Sequence, residues 1–399
     1  MTDIEALLLK IHQLNSRWQN ALAEISPNIA SGRRRQYSRT SLLLHSLFLR
    51  SVLLIAHFLY LRKPPKYVFQ GLRHRGLIEV LPASEVMVLG GRGEFLYCLK
   101  RGCRFHWIGY ISKSFQLYIW GGEKKIFPEA LLFIRKLFLN PGGEKRYLFL
   151  WEDSLPTGLT LSIALASIPA LNVVCIAHGM FPRYKEKSLP PEGVSCKFNL
   201  IWDVSQKKLF KGGDDPATFV LGLPYEVTIP HSMSRNIVLV GHCGRSSDMT
   251  EYFFSLYHFS KIYAILQRAG FAVSFRPHPQ DDVNFIRSVF PTVCVADKNA
   301  LLASKRMVFM GFASSLLHEA RQFGSIVIAL DNSIFPYELD FDVDGIVLAS
   351  AYEELPLYLS NILDSPPMLI DARVKSLSTR FHRCIRQIDD FNADANVGC

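Results

Sequence analysis

Short apolar runs alternate with amphipathic stretches along most of this 399-residue chain. Residues 3–25 place Leu7, Leu8, Ile11, Leu14, Trp18 and Leu22 near helical spacing, which predicts one amphipathic helix. From residue 77 the pattern changes. Runs at 77–81, 86–89, 105–110, 147–150, 173–176 and 200–202 read as strands, with a weaker one at 220–221, and helical stretches at 128–139 and 161–167 lie between them. Residues 229–234 read as a polar linker. A second alternation follows, with strands at 237–240, 272–276, 293–296, 307–310 and 326–330, and helices at 249–269, 283–290 and 314–323. Residues 351–388 read as closing helices. Such β/α alternation argues for parallel sheets with helices on both faces. The pattern predicts two doubly wound, Rossmann-like domains facing across a cleft, at 77–230 and 231–399, behind a helical segment at 1–76. Ligands bind such sheets beyond the carboxyl ends of the strands, so those ends are where chemistry is sought.

The net charge of +10 is concentrated at one end. Residues 1–76 hold 12 Lys/Arg and 3 Asp/Glu, a charge of +9, whereas the remaining 323 residues carry 33 and 32. A nucleic-acid-binding body would spread positive charge over its own groove; a basic end beside an apolar stretch suits an anionic membrane surface. That stretch is 41–61, preceded by the basic knot Arg33-Arg34-Arg35 and followed by Arg62-Lys63. It has the length of a span, but Arg50 sits near its centre, at a cost of at least about 2.5 kcal/mol in lipid. An interfacial helix, a buried helix and a true span all remain readings of it. The N-terminus does not read as a signal peptide, and the eight cysteines contain no C-x-x-C pair, so they read as reduced thiols of a cytosolic protein with no zinc site.

Three strand ends carry candidate chemistry. Trp151-Glu152-Asp153-Ser154 follows the run at 147–150; a carboxylate there could deprotonate an acceptor hydroxyl or attack a sugar carbon, or it could simply cap a helix. Arg276-Pro277-His278-Pro279 follows the strand at 272–276, and two prolines restrain the imidazole beside an arginine fork, a pairing suited to phosphate. Gly311-Phe312-Ala313-Ser314-Ser315 opens a helix, where hydroxyls and free N–H groups make an anion site or an ordinary N-cap; Glu319 lies in the same helix and could bind ribose hydroxyls. Weaker candidates are the loop Gly90-Gly91-Arg92-Gly93, either phosphate-cradling or facing an acceptor, then His178 after the strand at 173–176, and Gly241 after the strand at 237–240. No Walker-type loop and no G-x-S-x-G elbow is present, which argues against a P-loop ATPase and an α/β-hydrolase.

An acidic pair, then R-P-H-P, then G-x-x-S-S, each after a strand, resembles the bacterial GT-B glycosyltransferases that use CMP-activated acid sugars, the sialyltransferases and capsule-type Kdo transferases. The resemblance covers residues ~77–380 by motif order and spacing. It implies a GT-B fold and transfer of Kdo or sialic acid from its CMP donor to a cell-surface glycan or glycolipid. It further implies Asp153, or Glu152 beside it, as general base or nucleophile. His278 would assist departure of CMP, Arg276 would lie near the cytosine or phosphate, and Ser314 and Ser315 would hold the phosphate. Ser154 departs from the glycine that usually follows the family's two carboxylates. Neither a metal nor a cofactor is expected, since a departing CMP needs less charge compensation than a diphosphate and no D-x-D site is evident. The basic N-terminus would hold the enzyme on the inner face of the cytoplasmic membrane. CDP-glycerol transferases share the architecture, so a CDP-glycerol or nucleoside-diphosphate-sugar donor is the enzymatic alternative. A membrane-surface scaffold on a degenerate transferase fold is the non-enzymatic one, and nucleic-acid binding is not expected.

Overall fold

The computed structural model describes residues 3–25, 44, 47–49, 51, 65–121, 124–139, 143–151, 156–177, 183–184, 195–210, 217–241, 249–312, 314–331, 337–338, 343–364 and 376–397. The first half contains helix α1 (Asp3–Ile25) and strands β1 (Tyr67–Gln70), β2 (Val86–Gly90), β3 (Arg104–Trp107), β4 (Arg146–Leu150), β5 (Leu171–Ile176), β6 (Arg183–Tyr184), β7 (Phe198–Ile201) and β8 (Ala217–Val220). All of these strands except β6 join one parallel sheet in the order β3-β2-β1-β4-β5-β7-β8. Helices α2 (Arg75–Glu79), α3 (Arg92–Arg101), α4 (Gly109–Gly121), α5 (Ile126–Phe138) and α6 (Pro156–Leu165) accompany it.

The second half has strands β9 (Met233–Val240), β10 (Val273–Arg276), β11 (Arg306–Gly311), β12 (Ile326–Asp331), β13 (Tyr337–Glu338) and β14 (Gly345–Leu348). Five of them form a second parallel sheet, β10-β9-β11-β12-β14. Its helices are α7 (Met249–Arg268), α8 (Val283–Val289), α9 (Lys298–Ser304), α10 (Ser315–Gln322) and α11 (Leu355–Asp364), and α12 (Leu377–Val397) follows them. β13 pairs antiparallel with β6, Tyr337 opposite Tyr184, so a short ribbon also ties the two halves.

Strand periodicity explains the layering. Alternate residues of a strand face opposite sides, and a parallel sheet covered on both faces is apolar on both. Val68, Met87, Leu89, Leu148, Leu150 and Val173 face a core with Phe127, Leu131 and Ile134 of α5 and Leu161 of α6. Tyr67, Phe69, Val86, Val88, Tyr147 and Phe149 face the other way. Ile11 of α1 is buried in the first of these cores, where α1 lies against α6. Leu49 is buried there too, while Leu44, Leu47 and Phe48 are exposed.

The structure differs from the sequence reading in four places. Residues 77–81 are not a strand. Leu77, Ile78 and Leu81 are buried at helical spacing in and after α2, and a short apolar run carries too few residues for its period to decide. The strand is instead 67–70, inside the segment expected to be helical; β1 lies between β2 and β4 and its residues are buried throughout. Residues 293–296 make only a single bridge, Val293 to Phe275. Finally, α12 crosses back to the first sheet, where Leu377, Phe381, Cys384, Ile385 and Ile388 form a stripe over the Tyr67–Phe149 face. Phe381 packs 5.3 Å from Phe149 between ring centres. The crossing is fastened by buried Arg380, which donates to the carbonyls of Leu221 (2.8 Å), Leu223 (2.8 Å) and Tyr225 (3.0 Å). Most of 41–61 lies outside the described residues. Among the described residues, no helix is long and apolar enough to cross a membrane.

Candidate functional site

The strand ends of both sheets meet at a cleft holding a cavity of about 800 Å³. From the second half come Val240 and Gly241 at the end of β9, Arg276–Pro279 after β10, Lys298 and Asn299 of α9, and Ser314, Ser315 and Glu319 around α10. From the first half come Arg73–Gly76 after β1, Glu79, Trp202 after β7, and Pro224 and Tyr225 between β8 and β9. Six of the residues singled out in the sequence, Gly241, Arg276, His278, Ser314, Ser315 and Glu319, therefore line one cavity.

Local geometry fixes each of them. The His278 N–H donates to Asp281 Oδ2 at 2.7 Å, and Gln280 N–H donates to His278 Nδ1 at 3.3 Å. An imidazole that accepts at Nδ1 carries its proton on Nε2 in the neutral form. Asp282 caps α8 by accepting from Asn284 and Phe285, so both aspartates after the loop are spent on its shape. Gly241 donates to the Arg276 carbonyl at 2.9 Å, and a Cβ on it would stand 3.0 Å from His278 N. Ser314 caps α10, accepting from Leu316 N–H at 3.3 Å. The first-turn N–H groups of α10 thus open on the cavity with a partial positive charge.

The cations differ in what they already hold. Arg276 donates to the Ala296 carbonyl at 2.8 Å. Arg75 pairs with Glu79 at 2.6 Å, and Lys298 with Glu319 Oε2 at 2.6 Å. Arg73 is exposed in the cavity wall and makes no hydrogen bond or ion pair among the described residues. Tyr225 O–H donates to the same oxygen of Glu319, whose side chain is 3% exposed. Burial and then the adjacent carboxylate push the Tyr225 phenol well above its ordinary range, which keeps it a donor. Next to Glu319, His318 is buried against Trp202, and loss of hydration lowers its imidazole to about 4, so it is neutral.

The remaining sequence candidates fall elsewhere. Glu152, Asp153 and His178 lie outside the described residues. Gly91 caps α3, and its N–H donates to Glu94 Oε2 at 2.8 Å, so this turn's anion position is filled by the protein's own carboxylate. It lines a second cavity instead, and Arg92 is exposed outside both. Sequence reasoning missed Arg73, Lys298, Tyr225 and Trp202. The basic triplet Arg73-His74-Arg75 after the apolar run Tyr67–Phe69 was the available sign of a strand end; Tyr225 and Lys298 gave none. Among the described residues, no group of three His, Cys, Asp or Glu could hold a metal ion.

No family model and no curated protein matches the chain. Solved structures do. A UDP-GlcNAc 2-epimerase from Methanocaldococcus jannaschii aligns over 81% of this chain and 98% of its own at 12% identity, with a TM-score of 0.51. The fold is GT-B. The spinosyn forosaminyltransferase SpnP (12% identity, 82% and 99% covered, TM-score 0.45) and the wall teichoic acid polymerase TagF (9%, 80% and 88%, 0.42) are more distant. At such identities the likeness extends to the fold of two Rossmann-like sheets across a cleft, and no single GT-B family is distinguished.

Proposed function

We propose that this chain is a GT-B glycosyltransferase that moves a CMP-activated acid sugar, Kdo or sialic acid, to a cell-surface glycan or glycolipid. The observation that carries the reading is one cavity into which His278, the α10 N-terminus at Ser314-Ser315 and Arg73, a cation without a partner among the described residues, converge. Each suits a phosphate, and together they suit a departing one. The α10 amides and the Ser315 hydroxyl would hold its oxygens, and Arg73 would neutralise its charge from the opposite wall. His278 would donate its Nε2 proton as the glycosidic oxygen leaves. Asp153, or Glu152 beside it, would act as base toward the acceptor hydroxyl or as nucleophile toward the sugar. Glu319 would bind ribose hydroxyls once Lys298 turns away from it. The basic residues of 1–76 would keep the enzyme on the inner membrane face.

One observation favours the enzymatic alternative. A monophosphate is served by the helix terminus and His278, so the additional cation Arg73 also fits a diphosphate, as in CDP-glycerol or a nucleoside-diphosphate sugar. The test is the melting midpoint against CMP, CDP, UDP, GDP and ADP, since ligand bound to the native state raises it by mass action. A shift with CMP above all others, followed by loss of CMP release in His278→Ala and Asp153→Ala, is the expected result. A larger shift with CDP moves the donor to glycerol phosphate, and one with UDP or GDP moves it to an ordinary sugar. No shift with any nucleotide leaves a scaffold.

A further inference from the structure

The second cavity, about 470 Å³, opens at the carboxyl ends of β1–β4. Its walls are Gln70, Gly71, Leu89–Gly91, Trp107–Gly109, Ser112, Phe115 and Gln116 of α4, Trp151 and Thr157. Gly71 sets its position. With φ at +68° it turns the chain sharply out of β1, so that Gly71 lines this cavity while Arg73–Gly76 line the cleft. The two spaces share one strand-end loop as their partition.

Their chemistry is opposite. The cleft is lined by three arginines, a lysine and two histidines; among the described residues, the second cavity has no ionisable side chain in its wall. It offers instead two indoles and a phenyl ring, with two amides and two hydroxyls between them. Behind that wall the Glu94 carboxylate accepts from Gly91 N–H at 2.8 Å, and its charge repels anions. Aromatic faces with neutral amides and hydroxyls match a pyranose, whose axial C–H face stacks on an indole while its hydroxyls exchange hydrogen bonds at the rim. A phosphate or a sugar acid would lose its hydration here without gaining a counter-charge.

We infer that this cavity binds a neutral, unphosphorylated sugar ring stacked on Trp107 and Trp151, and that this ring is the terminal residue of the acceptor. The second clause rests on the transferase reading; the first does not. Trp151 immediately precedes the Glu152–Asp153 pair, so a ring held here is presented beside the segment that carries the proposed base.

Saturation-transfer NMR on the full chain without nucleotide tests the binding, with lactose and maltose as neutral probes and glucuronic acid as the charged one. The expected result is transfer to the ring C–H protons of a neutral disaccharide, with glucuronic acid bound at least tenfold more weakly. Trp107→Ala should weaken binding roughly tenfold, the value of one aromatic stack. Because that variant removes packing as well, Ser112→Arg, which adds a charge at the wall, is the companion and should abolish binding. The idea is overturned if no neutral disaccharide binds, if Ser112→Arg binds as well as the native chain, or if glucuronic acid binds equally. The nucleotide melting shift separates the two levels. Sugar binding lost with the shift retained overturns only the inference on this cavity, and the reverse overturns only the donor proposal.

Discussion

Replacing Arg73 with Ala removes the one cleft-lining cation that the described structure leaves without a partner. Arg75, Lys298 and Arg276 are held at 2.6, 2.6 and 2.8 Å by Glu79, Glu319 and a carbonyl, so each must break a contact before serving a ligand. Arg73 breaks none. A hydrogen bond to a charged group contributes about 1.5–3 kcal/mol. Arg73 is solvent-exposed in the empty cleft, which lowers the expected value to about 1–2 kcal/mol. Arg73→Ala should therefore weaken CMP or CDP about 5–30-fold by calorimetry, with the melting midpoint of the free protein unchanged. The native affinity should fall with added salt, and less steeply in the variant, because screening acts on exposed charges. Lys at this position should restore part of the affinity. Equal nucleotide affinity in native and Ala proteins, at low salt, would refute the assignment of Arg73 to the phosphate and leave the His278 and α10 contacts untouched.

Gly241→Ala should reduce nucleotide affinity by calorimetry and cost about 1–3 kcal/mol in denaturant unfolding, since its Cβ would stand 3.0 Å from His278 N and press on the loop. Arg380→Ala should cost roughly 3 kcal/mol or more in the same assay, because three carbonyls lose their donor inside the protein and each unsatisfied buried acceptor costs about 1–3 kcal/mol. Acid should destabilise the fold through His106 and His318, both lowered by burial from 6.5 to about 4. The folded form prefers the neutral ring, so this stability is complete above pH 6.5 and drains away as pH falls toward 4, up to about 3 kcal/mol for each ring. Unfolding midpoints of His318→Phe between those pH values should slope less than those of the native chain. A slope equal to the native one would remove His318 from the account.

The strand ends were legible wherever an apolar run met a restrained turn. Arg276-Pro277-His278-Pro279 and Gly311–Ser315 could be recognised because proline and an N-cap serine bend the chain in known ways at the place where a parallel sheet binds ligands. Arg73 was not recognised. Its strand, Tyr67–Gln70, is only four residues long and sits at the end of a helical, basic segment, so the run at 77–81 took its place. Glu319 was found, but not its partners, because Lys298 comes from α9 and Tyr225 from the segment between β8 and β9, and only tertiary packing brings them to α10. The return of α12 to the first sheet was invisible for a related reason. Its stripe of Leu377, Phe381, Cys384, Ile385 and Ile388 states that one face is buried, and says nothing of which sheet buries it.

That return has a consequence for how the protein is made. The face of the first sheet bearing Tyr67, Phe69, Tyr147 and Phe149 is completed by α12, which the ribosome adds only after the whole second sheet. At ordinary synthesis rates of about 5–20 residues per second, that interval is on the order of ten seconds or more. Throughout it the growing first half holds an aromatic surface only partly covered, by Leu77, Ile78, Leu81 and Cys98, the kind of surface to which chaperones bind and through which nascent chains aggregate. Completion of the earliest part of the molecule therefore waits on one of the latest, and a chain interrupted before α12 would leave both halves made and the first one unfinished.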